Sequence, residues 1–69
     1  MSLSKAAAAI EYEIAKIGVT RSPAQDHTFV MGMIEIAEFC ELIDPVTANK
    51  YRNELDQKRD KRINDLRGA

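Results

Sequence analysis

The broadest hydrophobic pattern in this chain lies in its middle third. Between residues 26 and 43, five apolar residues follow a 4-3-4-3 spacing that places them on one face of an α-helix: Phe29, Met33, Ile36, Cys40 and Ile43. A second apolar row lies beside the first and widens the stripe: Val30, Ile34 and Ala37. The pattern predicts a central amphipathic helix over about residues 24–43, with a broad apolar side and a narrow acidic one.

A similar seam near the N-terminus predicts a first helix over about residues 4–17. Its apolar positions again follow a 4-3-4-3 spacing: Leu3, Ala7, Ile10, Ile14 and Ile17. Gly18 is placed to end this helix as a left-handed C-cap. In the linker that follows, the central helix can begin at Pro23 with Ser22 as its cap or at His27 with Asp26 as its cap, so we expect its start within residues 23–27.

The pair Asp44-Pro45 predicts a sharp break and a third helix over about residues 45–66. Asp44 is a favourable cap, and Pro45 suits the first helical position. The short turn predicts an antiparallel hairpin between the second and third helices. The chain is therefore predicted to be one all-α domain over residues 1–69, with three helices and a tight hairpin between the last two.

The length and composition of the chain limit the size of the hydrophobic core that it can form. The chain has 69 residues, of which 45% are hydrophobic, and its single cysteine cannot form an internal disulfide. A domain of this size supplies only about 3–5 kcal/mol from its own core. We therefore expect a homodimer or larger helical homo-oligomer, or a protein partner, to complete the fold.

The charge balance argues against a membrane or a nucleic acid as the partner. The net charge is −1, with three basic and six acidic residues in 1–43 and seven basic and five acidic residues in 44–69. No apolar run approaches the ~20 residues of a membrane span. We expect a cytoplasmic protein with Cys40 as a reduced thiol.

Two features nevertheless raise nucleic-acid binding as an alternative function. The segment 14–22 (IAKIGVTRS) resembles the opening of a bacterial helix-turn-helix, but Ala15 lies three residues before Gly18 instead of four, and Pro23 would fall inside the recognition helix. The third helix carries a candidate anion-binding cluster: Lys58, Arg59, Lys61 and Arg62. Acidic residues interrupt this cluster and no aromatic residue accompanies it, so we favour a solvated or partner-facing surface.

The sequence predicts no enzyme, no cofactor and no metal site. Glu35, Glu38 and Glu41 share a helix side, but the only histidine, His27, lacks the Glu-x-x-His spacing of di-iron bundles. Cys40 lies on the apolar stripe with no histidine nearby in sequence, which favours a buried small hydrophobe over a nucleophile.

Protein–protein interaction, with a regulatory or accessory role, is therefore the predicted function. Six residues of the central helix are predicted to form its core or its shared interface: Phe29, Val30, Met33, Ile36, Phe39 and Cys40. Gly32 lies among them. Two explanations for this glycine stay open, a close contact with another helix and tolerance on an exposed face.

The segment 32–57 resembles many very short helical proteins of bacteriophages and prophages. The matching residues are Leu42-Ile43 at the end of one helix, Asp44 at the turn, and Tyr51 and Leu55 in the next helix. The layout is also similar to short bacterial oligomerisation tails, although Pro45-Val46 replaces the acidic residues usual there. The resemblance implies an accessory phage-type protein that acts by binding.

Overall fold

The structure, a computed structural model, describes residues 3–68 and, of their side chains, those from Lys5 onward. It contains three helices, α1 (Leu3–Ile17), α2 (Pro23–Phe39) and α3 (Pro45–Gly68), and no strand occurs within 3–68. The predicted all-α fold of three helices with an α2–α3 hairpin is confirmed. Met1, Ser2 and Ala69 of the predicted domain lie outside the described residues.

The helices run up, down and up. α2 is antiparallel to α3, because Glu38 pairs with Arg52 near the connection while His27 contacts Asp56 farther from it. α1 is parallel to α3, since Glu11 contacts Tyr51 and the carbonyl of Thr20 accepts a hydrogen bond from Arg62. Each helix therefore packs against both of the others.

The core runs along the axis between the three helices. Its fully buried members come from every helix and from the second connection: Ile10, Ile14, Ile17, Val30, Ile34, Ala37, Ile43, Ala48, Tyr51 and Leu55. Leu42, Met31 and Met33 are partly buried against this cluster. Among the side chains from Lys5 onward, the buried ones of α1 and α2 are aliphatic, and Tyr51 of α3 supplies the only aromatic ring of the core.

The rows of α2 are divided between the core and the surface, which corrects the prediction of one continuous apolar side. The narrower row, Val30, Ile34 and Ala37, faces the core. Phe29 and Ile36 of the wider row are exposed. The reason is that His27 and Glu38, which contact α3, lie on the same side of α2 as Ile34 and turn that side inward.

α2 ends four residues earlier than predicted, at Phe39 instead of Ile43. The N–H of Glu41 donates to the carbonyl of Glu38 (3.0 Å), and the N–H of Leu42 donates to the carbonyl of Ala37 (2.8 Å). These are the two bonds of a Schellman motif, and Glu41 adopts the left-handed conformation it requires, with φ of 60°. The chain turns there, which places Leu42 against the core.

The start of α3 follows the prediction. A carboxylate oxygen of Asp44 accepts the N–H of Thr47 at 2.7 Å, and Pro45 takes the first helical position. α3 continues to Gly68, two residues beyond the predicted end. Its second half is held by Arg62, whose Nε donates to the carbonyl of Thr20 at 2.7 Å.

Candidate interaction face

The side of α2 that points away from the core carries three large apolar side chains, with the polar Gln25 at its N-terminal end. We call it the outer face and define it by Phe29, Gly32, Ile36 and Phe39, which lie opposite Ile34 on the helix. The three large side chains are 63%, 66% and 85% exposed for Phe29, Ile36 and Phe39. None of the four residues is charged, so the face can be covered without removing an ion from water.

Gly32 lies near the middle of α2, within the outer face. A Cβ atom built on it would meet no atom within 4 Å, and the residue does not have a positive φ. Neither packing inside the chain nor backbone conformation therefore requires glycine at this position.

A shallow groove between α1 and α2 adjoins the outer face. It has a volume of about 230 Å³, and all its lining residues are apolar: Ala6, Ala9, Ile10, Met33, Ile36, Ala37 and Leu42. Ile36 belongs to both the groove and the outer face. α1 contributes Ala6 and Ala9 to this groove, and these small side chains make it shallow on the α1 side.

Charged groups lie at the edge of this surface. At the level of Phe29, a second cleft between α1 and α2 is lined in part by Glu13, Lys16 and Asp26. Lys16 and Glu13 pair at 3.2 Å, and the Lys16 ammonium lies 5.3 Å from the ring centroid of Tyr12. The surface thus has an apolar centre and a charged rim on the α1 side, as protein-binding surfaces commonly do.

The six predicted core or interface residues are separated by the fold. Val30 is in the core and Met33 is partly buried in the groove. Phe29, Ile36 and Phe39 are brought together on the outer face. Cys40 is exposed where α2 ends. The expectation that it is a buried small hydrophobe is wrong, because α2 stops at Phe39 and the apolar row that contains Cys40 does not continue along the helix.

The four predicted anion-binding residues do not converge. Arg62 binds the linker carbonyl of Thr20, while Arg59 contacts Asp60 at 3.1 Å and approaches Nε2 of His27 to 3.3 Å. Lys61 pairs with Asp65 at 3.2 Å. Lys58 lies on the α1 side, in a cleft whose lining also includes Glu11 and Glu54. The four side chains therefore have different neighbours: the linker, α2, α3 itself and the cleft beside α1.

The acidic residues and the histidine also have structural partners. Glu38 accepts a 2.5 Å hydrogen bond from Arg52, and His27 Nε2 lies 2.7 Å from Oδ1 of Asp56. Within residues 3–68, no group of three histidine, cysteine or acidic side chains is placed to hold a metal ion.

The sequence did not predict that Tyr51 would be a buried residue with a carboxylate partner. Tyr51 is a core residue, and its hydroxyl reaches Glu11 of α1. Burial, followed by the hydrogen bond to Glu11 and the negative charges of Glu11 and Glu54, raises the pKa of Tyr51 to about 12. The contact joins two helices and lies in the lining of the cleft of about 290 Å³ between α1 and α3 that also includes Lys58.

No protein-family model, curated protein or solved structure matches the chain. The resemblance of residues 32–57 to bacteriophage and prophage proteins therefore stays a prediction. Within the part of the chain that the structure describes, none of the helices has the length and apolar character that crossing a bilayer requires.

Proposed function

We propose that this protein acts by protein–protein association, as a helical homo-oligomer whose contact surface is the outer face of α2. The observation that carries the proposal is the exposure of Phe29, Ile36 and Phe39 on one uncharged helix side. Contiguous exposed apolar surface marks interaction sites more often than isolated apolar residues do. The role would be accessory or regulatory, exerted by binding.

The energetics support association through this face. Burying one phenylalanine or isoleucine side chain contributes about 1.5–3 kcal/mol. Two copies that cover each other's outer faces bury six such side chains, each of which is already partly covered. That gain is of the same order as the about 4–15 kcal/mol that association costs in lost freedom of motion. Burial of this face can therefore offset much of the cost of association, as the proposal requires.

Molar mass measured by light scattering over a wide concentration range tests this proposal. We expect the mass of the wild-type chain to rise from one copy to a defined multiple. Ile36→Glu places a charge in the outer face and should keep the chain monomeric. Val46→Glu is the matched control, because Val46 is also an exposed aliphatic residue but lies at the start of α3.

Two outcomes would contradict the proposal. One is a wild-type chain that stays monomeric at the highest concentration. The other is a Val46→Glu variant that dissociates as completely as Ile36→Glu, since the effect would then come from added charge alone. Circular dichroism of both variants checks that each remains helical.

Nucleic-acid binding has no comparable support. Arg59, Lys61 and Arg62 are engaged with partners inside the chain, and Lys58 faces a different side. We expect no binding to generic DNA even at low salt, where contacts to phosphates are strongest. A phage origin and a cytoplasmic location stay predictions from the sequence.

A further inference from the structure

We infer that the connection between α2 and α3 is a hinge on which α3 can exchange between two copies of the chain. In the opened form α2 continues from Phe39 to Ile43, and α3 leaves its own bundle to pack on α1 and α2 of a second copy. The exchange goes beyond the proposed function, because it uses the contacts of the core and not those of the outer face.

The connection between α2 and α3 is short and strained. Only residues 40–44 separate the two helices. Glu41 among them has a φ of 60°, a left-handed conformation that disfavours an L side chain by a factor of roughly five or more. The chain adopts this conformation where it reverses direction, so opening the hairpin removes the strain. A short strained hinge of this kind favours exchange of an element between copies.

The residues of the hinge also fit a helix. Apolar periodicity continues past the end of α2, since Ile36, Cys40 and Ile43 are spaced four and three residues apart. The stretch contains neither glycine nor proline, and Glu41 and Leu42 are good helix formers. The closed hairpin therefore interrupts a pattern that an opened chain can complete.

The opened α2 still stops before α3. Pro45 disfavours helical backbone at Asp44, so the longer helix ends at Ile43. Asp44 can then accept the N–H of Thr47 in the opened form as it does in the closed one. Opening withdraws Ile43 from the core, where it is buried. The two hinge segments lie side by side in the exchanged dimer, which allows Ile43 of each copy to be covered by the other hinge.

The surface that α3 leaves behind identifies the occupant, because that surface is complementary to α3 itself. Tyr51 and Leu55 of α3 fill the core between α1 and α2. The hydroxyl of Tyr51 binds Glu11, and Arg52 pairs with Glu38. A second copy supplies the identical helix, so each of these contacts forms again between the two chains. Exchange of an identical element is for this reason a low-cost route to a dimer.

The exchanged dimer differs in its kinetics from an oligomer held by the outer face. Exchange requires α3 to leave its bundle, so the exchanged dimer forms during refolding at high protein concentration and persists when the folded protein is diluted. Contacts of the outer face form between folded chains and are lost on dilution. The two kinds of association can therefore be measured separately in the same chain.

Refolding from urea at low and high protein concentration, followed by dilution and light scattering, tests the exchange. Wild type refolded at high concentration should contain a dimer that persists after dilution. Glu41→Gly removes the strain from the closed form of both chains, so it should lower the dimerisation constant by roughly twentyfold or more. Glu35→Gly is the matched control, because residue 35 is helical in both forms and the substitution should leave the constant unchanged.

Chemical cross-linking tests which chain supplies α3. One chain carries Glu38→Cys and another Arg52→Cys, both with Cys40→Ser, because residues 38 and 52 contact each other across the hairpin. After the two chains are refolded together at high concentration, a short bismaleimide should produce a cross-linked heterodimer in the dimer fraction. Chains refolded separately and then mixed should give no such product. Circular dichroism checks that both variants are helical.

The exchange and the outer-face association can each fail without the other. A wild-type chain that refolds only to monomer at the highest concentration overturns the exchange. So does a persistent dimer that yields no cross-linked heterodimer, or one whose dimerisation constant Glu41→Gly leaves unchanged. Ile36→Glu should abolish the association that dilution reverses and leave the persistent dimer intact, since residue 36 is exposed in the bundle.

Discussion

The hydroxyl of Tyr51 donates a 2.6 Å hydrogen bond to a carboxylate oxygen of Glu11, which joins α3 to α1. Tyr51 is only 3% exposed, so its ring packs in the core while its hydroxyl reaches the edge. Ionised tyrosine would lose this donor and place a second negative charge beside Glu11. Burial of the side chain is the largest cause that raises the pKa of Tyr51 to about 12, from 10.0, and the hydrogen bond and charge of Glu11 add to it.

This shift makes stability fall at alkaline pH. A raised folded-state pKa means that the folded chain holds the proton more tightly, so the contribution is complete below pH 10 and is lost as pH rises through about 12. Tyr51→Phe should lower the free energy of unfolding by about 1 kcal/mol at neutral pH and should flatten this alkaline fall. Urea unfolding at several pH values measures both effects. Tyr12→Phe, at an exposed ring, should change neither.

The N-terminal cap of α3, Asp44, should make the stability of the fold depend on pH in the acid range. The N–H of Thr47, helped by its hydroxyl, holds the pKa of Asp44 below its usual 3.8. A lowered folded-state pKa gives a contribution that is present above pH 3.8 and is lost as pH falls through the folded value. Asp44→Ala should lower the thermal midpoint by about 4–8 °C at neutral pH.

Asp44→Asn is the informative comparison for this cap. Asparagine keeps an oxygen acceptor but does not titrate, so this variant should retain most of the thermal midpoint and lose part of the acid sensitivity. Equal acid sensitivity in wild type and Asp44→Asn would show that other carboxylates dominate the acid unfolding.

The left-handed residue after α2 is a site where stability can be gained. Glu41 has a φ of 60°, a conformation that disfavours an L side chain by roughly 1–2 kcal/mol and that glycine adopts freely. Glu41→Gly should raise the free energy of unfolding by about 1 kcal/mol in a urea titration. Glu35→Gly, at an exposed position inside α2, should lower it by about the same amount. A loss of stability in Glu41→Gly would mean that its side chain stabilises the turn more than its backbone strains it.

Because the core is small, truncation of Leu55 should greatly reduce the stability of the fold. This residue is 0% exposed, and truncating a buried leucine costs about 2–5 kcal/mol. Since a domain of this size has only about 3–5 kcal/mol available, Leu55→Ala should be largely unfolded at room temperature by circular dichroism. Leu66→Ala, at a more exposed position near the end of α3, should retain a wild-type unfolding midpoint within error.

The helices themselves could be predicted because the chain marks most of their limits. Ser22-Pro23 and Asp44-Pro45 mark the starts of α2 and α3. α1 ends before Gly18 as predicted, but Gly18 does not adopt the left-handed conformation that was expected of it. The end of α2 carries no such mark, since its Schellman motif uses Glu41 in place of glycine. Apolar periodicity continues to Ile43 even though the backbone turns at Cys40, so the sequence pattern extends the helix too far.

The candidate surface was only partly predictable. The list of interface residues contained Phe29, Ile36 and Phe39, which do share the outer face. The spacing placed both rows on one broad apolar side and did not separate core from surface, because size and periodicity do not show which neighbour a helix meets. The partners of Arg59 and Arg62 were missed for a related reason, since they come from the α1–α2 linker and from α2.

Three polar contacts join α2 to α3: Glu38 with Arg52, His27 with Asp56, and His27 with Arg59. The two apolar rows of α2 lie beside each other, so the apolar pattern alone does not decide which row is buried. Turning α2 to bury Phe29 and Ile36 would carry His27 and Glu38 into solvent and leave Asp56 and Arg52 without them. Each contact is partly exposed and contributes little to total stability. They are made in the observed rotation, so polar groups on α3 act together with the buried aliphatic row to leave the outer face of α2 uncovered.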